Sequence, residues 1–296
     1  MAHLDEVTTI GILGAGQMGA GIAQITAASG FRVVLADASL DLAERGKKRI
    51  ASIVSKQVEK QKVTAEASTA LLARITPASG PDDFGHCDFV IEAAAENVEI
   101  KLALLRKCDA VLGAGKWLAS NTSSISLTRL AAATSRPDRV IGMHFMNPPP
   151  LMKLVEIVRA LQTSDETHAL TCALAEKLGK TVTTSRDAPG FLVNRILIPM
   201  LCEACFALEQ GVGSAEDIDT SAKLGLNHPM GPLELSDLIG LDTVLAIADV
   251  LHREFGDDKY RAPTLLRNFV AAGYLGRKSA RGFYRYDDKG NRLGPR

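Results

Sequence analysis

The sequence predicts an α/β protein, a Rossmann-type doubly wound sheet with a helical-hairpin insertion, followed by an all-α C-terminal domain. Three observations predict it. A short apolar run leads at once into Gly14-Ala15-Gly16-Gln17-Met18-Gly19 and then a helical pattern. Strand and helix periodicities alternate through the first half of the chain. Near Ser185-Arg186-Asp187-Ala188-Pro189-Gly190 the strand pattern stops, and apolar helices broken by glycine and proline take over. The expected domains are 1–187, with the insertion at about 40–72, and 188–296.

The first strand spans Thr8 to Leu13 and its helix runs through Ala28. Between them the GxGxxG spacing stands in the context it requires. Gly14 permits the tight turn, Gly16 lets backbone approach a pyrophosphate, and Gly19 allows close packing of helix on strand. A second strand, Phe31 to Ala36, ends in Asp37, an acid placed to accept from ribose hydroxyls and to repel a 2′-phosphate. No arginine follows closely, so NAD is favoured over NADP. Leu40 to Leu72 reads as one or two amphipathic helices before a strand at Arg74 to Thr76. Within it Lys56 and Lys60 share a face at i,i+4 spacing, and on spacing alone a solvated helix face is the better reading. Strands follow at Asp88 to Glu92, with Glu96 in the loop beyond, and at Trp117 to Ser120, leading into Asn121-Thr122-Ser123-Ser124. Both loops fall where doubly wound sheets place ligands. A serine placed like Ser123 is usually only a turn or helix-capping residue.

The segment from His144 to Ile157 folds two apolar runs back on each other through a proline-rich turn. Arg139 to Phe145 and Lys153 to Val158 read as strands, with Leu154, Glu156 and Val158 on one face. A buried Glu156 needs a cation or hydrogen-bond donor, and His144 across the turn can supply one. The pair reads as a general base with its orienting carboxylate. For an isolated pair, a core histidine and an edge glutamate would be the plainer account.

The second half begins with a helix from Phe191 to Gln210, kinked at Pro199, with Asn194 near its start. That amide either caps the helix locally or hydrogen-bonds a ligand oxygen. Ser214 caps a helix running to Lys223, and further helices are expected at Pro232 to Ile239, Asp242 to Phe255 and Thr264 to Ala272. Gly276 to Tyr286 reads as a terminal loop and a short extended piece. So many apolar helices in one small domain imply a homodimer through this region.

At 296 residues the chain has room for both domains. A formal net charge of +0 with scattered basic residues leaves no footprint for nucleic acid or a membrane surface. No apolar stretch reaches membrane-spanning length, and Met1 to Thr9 resembles neither a secretory nor a transit peptide, so a soluble cytoplasmic protein is expected. The five cysteines are too sparse for a disulfide framework. Cys202-Glu203-Ala204-Cys205 lacks a second Cys or His pair at zinc spacing and reads as small core residues, and no metal is expected.

Five motifs occur in order: Ser120-Asn121-Thr122-Ser123-Ser124; Gly142-Met143-His144-Phe145-Met146-Asn147-Pro148; Ala188-Pro189-Gly190-Phe191-Leu192-Val193-Asn194-Arg195; Asn227-His228-Pro229-Met230-Gly231-Pro232-Leu233; and Leu275-Gly276-Arg277-Lys278-Ser279. With these the chain closely resembles the (3S)-3-hydroxyacyl-CoA dehydrogenase family, in its bacterial 3-hydroxybutyryl-CoA branch, from Gly14 to Tyr286. The resemblance implies that His144 is the catalytic base, Glu156 its orienting carboxylate, and Ser123 and Asn194 the holders of the substrate oxygens. It places Gly14, Gly16, Gly19, Asp37, Glu96, Lys101, Asn121, Asn147 and Lys278 around NAD, together with Gln17, Met18 and Ser123. It makes Lys56 and Lys60 contacts for coenzyme A, which reverses the reading from spacing. Arg281 stands where close relatives often carry lysine, and Gln17 where several have threonine.

The implied reaction interconverts a (3S)-3-hydroxyacyl-CoA, expected to be 3-hydroxybutyryl-CoA, with the 3-oxoacyl-CoA, acetoacetyl-CoA. One rival is an NAD-dependent dehydrogenase of a free hydroxy acid, such as the gulonate-type relatives. The other is a non-catalytic NAD-binding sensor or structural protein, which leaves His144 with Glu156 and Ser123 with Asn194 unexplained.

Overall fold

A computed structural model describes residues 4–295 and divides the chain into two compact units, Met1–Ala188 and Pro189–Arg296. In the first unit the strands are β1 (Thr9–Leu13), β2 (Arg32–Asp37), β3 (Ile75–Ser79), β4 (Phe89–Glu92), β5 (Trp117–Ser120), β6 (Val140–Phe145), β7 (Leu154–Arg159) and β8 (Thr181–Arg186). They form one sheet in the order β3-β2-β1-β4-β5-β6-β7-β8. Every neighbouring pair is parallel except β6 and β7, which are antiparallel. The order reverses between β1 and β4, and this switch point opens a crevice at the carboxyl ends of the strands.

The helices of this unit are α1 (Gln17–Ala28), α2 (Leu40–Glu59), α3 (Ala65–Ala73), α4 (Val98–Val111), α5 (Leu127–Ala131) and α6 (Asp165–Lys177). The central strands β1, β4 and β5 are buried at every position, as strands covered on both faces must be. The insertion is a hairpin of two helices, each opened by a hydroxyl cap: Ser39 accepts from the Leu42 amide and Thr64 from the Ala67 amide. One apolar cluster, including Ile10, Ile12, Leu35, Phe89, Ile91, Ile141 and Ile157, fills the unit.

The second unit contains α7 (Val193–Glu209), α8 (Ala215–Gly225), α9 (Pro232–Ile239), α10 (Leu241–Phe255) and α11 (Thr264–Ala271). Pro199 lies inside α7, and Ser214 caps α8 by accepting from the Asp217 amide. A separate core includes Leu201, Leu233, Leu241, Leu251, Phe269, Phe283 and Tyr284. Cys202 and Cys205 sit in this core, and burial pushes their thiols up to about 11 and about 12, which keeps them protonated and inert. Beyond the helices, the extended piece expected near the terminus is a two-stranded antiparallel ribbon, β9 (Tyr284–Tyr286) with β10 (Arg292–Pro295).

Two buried acids that periodicity does not single out hold this unit together. Asp219 accepts from the Leu233 and Glu234 amides and from the Tyr284 hydroxyl. Asp237 accepts from the Phe283 and Tyr284 amides and the Tyr286 hydroxyl. The segment carrying Gly276 and Gly282 lies so close to Asp237 that a Cβ at either glycine would overlap it. Gly282→Ala is therefore expected to cost roughly 1–3 kcal/mol through overpacking, measured as a lower midpoint of chemical unfolding, while Gly290→Ala at the ribbon turn, where a Cβ meets open space, strains only its own backbone.

Candidate active site

The glycine-rich turn has the form that its spacing implies. Gly14 adopts φ +105, and a Cβ there would come within 2.6 Å of the Ala93 carbonyl oxygen at the end of β4. Gly16 is exposed, with open space where a Cβ would stand, and as N-cap of α1 it makes no side-chain capping bond. The first turn of α1 contains no acid. This is an uncapped, unneutralised helix N-terminus at the switch point, the electrostatic setting a pyrophosphate fits. Asp37, at the end of β2, accepts from the Ala15 amide at 2.7 Å and from the Ala38 amide at 2.7 Å. It thus braces the glycine turn while keeping lone pairs for ribose hydroxyls.

Across the switch point a second group of residues is tied together by carboxylates. Glu96 accepts from the Thr122 hydroxyl at 2.6 Å, the Ser123 amide at 2.8 Å and the Ser123 hydroxyl at 3.1 Å, and also from the amide and hydroxyl of Ser124. Burial would push its carboxyl up, but the Lys101 ammonium and these donors outweigh burial and hold it below the usual glutamate range. Lys101, implied to lie around NAD, is 1% exposed. Its ammonium donates to both Glu92 oxygens, at 2.7 and 2.9 Å, and lies 3.4 Å from Glu96. Glu92 is fully buried and also accepts from the Ser120 hydroxyl and the Ala94 amide. Lys101 is therefore linked to the Ser123 loop through Glu96. Glu92 was not singled out from sequence; an acid closing a fully apolar strand, nine residues before a lysine on the next helix, was the available signal.

Asn121 joins neighbouring strand ends: its side-chain oxygen accepts from the Phe145 amide at 2.8 Å. One strand further, His144 and Glu156 are direct partners in the antiparallel register of β6 and β7. His144 Nδ1 lies 2.7 Å from Glu156 Oε2, with the glutamate fully buried and the histidine 7% exposed. A carboxylate only accepts, so the Nδ1 N–H is the donor in this pair. Asn147, in the turn after β6, accepts from the Gln17 side chain at 2.9 Å, which links this turn to the first residue of α1.

The remaining candidates belong to the helical insertion and to the second unit. Lys56 and Lys60 are exposed in and just after the last turn of α2. In the second unit Asn194 is the second residue of α7 and is 8% exposed. Lys278 donates to Asp242 at 2.7 Å, and the Arg281 guanidinium lies 4.1 Å from the Tyr274 ring centre. Among the described residues no group of three or more His, Cys, Asp or Glu side chains could hold a metal ion, and no helix is long and apolar enough to cross a membrane.

Family models of 3-hydroxyacyl-CoA dehydrogenase match both parts of the chain, the NAD-binding domain over residues 9–188 and the C-terminal domain over residues 190–286. The chain belongs to the 3-hydroxyacyl-CoA dehydrogenase family. It is 52% identical over 280 residues to 3-hydroxybutyryl-CoA dehydrogenase of Bradyrhizobium diazoefficiens, covering 95% of this chain and 96% of that protein. It is 40% identical over 287 residues to the mitochondrial hydroxyacyl-coenzyme A dehydrogenase of Homo sapiens, with 95% and 91% covered. The crystal structure of (S)-3-hydroxybutyryl-CoA dehydrogenase from Ralstonia eutropha superposes with a TM-score of 0.93 at 51% identity, covering 95% of this chain and all of that one. The first unit is thus the NAD-binding domain of this family, and NAD is the cofactor that its glycine turn and Asp37 suit.

One carboxylate, Glu96, collects donors from three successive residues of the Ser123 loop. Glu96→Ala is expected to abolish amide-exchange protection at Ser123 and Ser124. In the unaltered protein the contribution of Glu96 is present above the ordinary glutamate range and lost as pH falls through its depressed value, so protection of this loop should drop on acidification before that of β5.

Proposed function

We propose that the protein is an NAD-dependent (3S)-3-hydroxyacyl-CoA dehydrogenase that interconverts 3-hydroxybutyryl-CoA and acetoacetyl-CoA, with His144 as general base and acid. The observation that carries this reading is the buried His144–Glu156 pair at 2.7 Å, at the end of a strand beside the glycine-turn crevice. Its relatives' names supply the substrate class.

Bound NAD supplies the hydride acceptor. In oxidation His144 Nε2 takes the C3 hydroxyl proton as hydride leaves C3, and Glu156 stabilises the imidazolium that forms. In reduction the imidazolium returns that proton to the 3-oxo oxygen. Ser123, fixed by Glu96, and Asn194 in the second unit are the residues assigned to the substrate oxygens. Gly14, Gly16, Gln17, Met18, Gly19 and Asp37 are assigned to the adenosine and pyrophosphate side of NAD, and Glu96, Asn121, Ser123 and Asn147 to the nicotinamide side, because a dinucleotide crosses the switch point from β2 towards β4 and β5. Lys101 supports Glu96, and Lys278 is assigned to NAD on the resemblance alone. Lys56 and Lys60, exposed cations on the insertion, are assigned to the phosphates of coenzyme A. The helical domain is assigned to substrate binding and to a homodimer. Exposed Ile196, Val212, Leu224 and Leu226 support the latter, and a mass measured in solution tests it.

Losing the general base should lower kcat by roughly 10²–10⁴-fold. His144→Ala is expected to do so in NADH oxidation by acetoacetyl-CoA while leaving NADH affinity within a few fold, and Glu156→Gln to impair turnover with the same retained affinity. Near-normal kcat in His144→Ala would remove this mechanism. Lys56→Ala with Lys60→Ala should raise KM for acetoacetyl-CoA several-fold at low salt, an effect that added salt reduces. Turnover of free acetoacetate equal to that of its thioester would instead support a free hydroxy-acid dehydrogenase.

A further inference from the structure

The turn between β6 and β7 carries Asn147 at its start and is poor in donors of its own. Pro148, Pro149 and Pro150 have no N–H. The amides of Leu151 and Met152 both turn back to the Pro148 carbonyl. Pro149 is buried, and a buried carbonyl needs a partner. That partner is Lys180. Its ammonium donates to the Pro149 carbonyl at 2.6 Å and the Met152 carbonyl at 2.8 Å, spanning the turn from beneath. The lysine stands three residues after α6 and directly before β8, whose first residue extends the attachment, the Thr181 amide donating to the Lys153 carbonyl at 2.8 Å.

The opposite side of the turn rests on α1. A Cβ at Gly21 would come within 2.9 Å of the Pro149 ring and 3.2 Å of the Pro150 ring, so the prolines lie directly on the helix that begins at the glycine turn. Asn147 meets the first residue of the same helix through Gln17. The turn is therefore wedged between α1 and a buried ammonium. Lys180 is held there at a cost: burial lowers it from the ordinary lysine range. Among the described residues no carboxylate forms an ion pair with it. A merely space-filling position would be served by an apolar side chain without that cost.

We propose that Lys180 is a positioning residue, which sets the height of the Asn147 turn over α1 and thereby shapes the nicotinamide half of the NAD site. This rests on the assignment of Asn147 to the nicotinamide side. Lys180 reaches the cofactor only through the turn, so its effect must pass through Asn147 and must spare the adenosine and pyrophosphate half, which β1, β2 and the glycine turn hold independently.

The test compares NADH with ADP-ribose, which lacks the nicotinamide, by calorimetric titration of the full-length wild type, Lys180→Met, Asn147→Ala and the double variant. Lys180→Met is expected to weaken NADH roughly tenfold, the scale of losing hydrogen bonds to a charged group, with ADP-ribose changed less than about twofold. Asn147→Ala should show the same split, and the double variant should lose little more than either single one, as for residues acting in one chain. Equal weakening of both ligands in Lys180→Met would mark a general structural role and overturn the proposal. So would a normal NADH affinity in Asn147→Ala beside a weakened one in Lys180→Met. A wild type that binds neither ligand would overturn the NAD reading beneath the proposal as well. Should Lys180→Met not fold, Lys180→Gln, which keeps amide donors, takes its place with an intermediate split expected and the same overturning results.

Discussion

The constraint on which the site depends is the single change of direction in the sheet. Through β6 the strands run parallel, and successive strand ends deliver only loops to the crevice. Because β7 returns antiparallel beside β6, Glu156 becomes the direct register partner of His144, and two side chains twelve positions apart in sequence meet at 2.7 Å. Directly opposed residues in an antiparallel ladder have their Cβ atoms close and on one face. The pair is therefore a product of backbone geometry. Burial then decides what the pair must do: a carboxylate with no exposure is costly unless donors reach it, and the imidazole N–H is placed to be one of them.

The rest of the crevice is built by the same economy, in which carboxylates at strand ends organise the loops beyond them. Asp37 holds the glycine turn, Glu92 holds Lys101 and Ser120, and Glu96 gathers Thr122, Ser123 and Ser124. Each acid ends or follows a strand and receives donors from a neighbouring connection, which ties the loops beyond the strand ends to the sheet. Lys101 shows how the arrangement is balanced. Buried with Glu92 and near Glu96, it would leave uncompensated buried charge if removed, the circumstance in which breaking an ion pair is most damaging.

Much of this was legible from residues in order. The glycine spacing after an apolar strand, Asp37 closing the next strand, and the proline-rich turn between two apolar runs each encode a local backbone path, and the sheet has the strands that these imply. His144 and Glu156 were legible for the same reason, since the parity of a strand tells which residues share a face. Lys56 and Lys60 were not: a pair of exposed lysines on a helix has the same spacing whether it binds a phosphate or only water, and their assignment to coenzyme A rests on the family resemblance and not on the pattern. Glu92, Asp219, Asp237 and Lys180 were also passed over, because a single charged residue in an apolar stretch carries no periodic mark of the partners it will find.

The sequence by itself determined the order of elements, the place of the glycine turn, the change from mixed to helical architecture near residue 188, and the face on which Glu156 lies, all consequences of short-range sterics and of the two side-chain periods. Only the tertiary structure decided which donors each buried acid would collect. It brought Lys101 between Glu92 and Glu96, seated Phe283 and Tyr284 on Asp237, and drew Lys180 beneath Pro149. The physical reason is that hydrogen-bond partners for a buried charge are chosen by proximity in space. That proximity exists only after the hydrophobic cores have brought distant segments together.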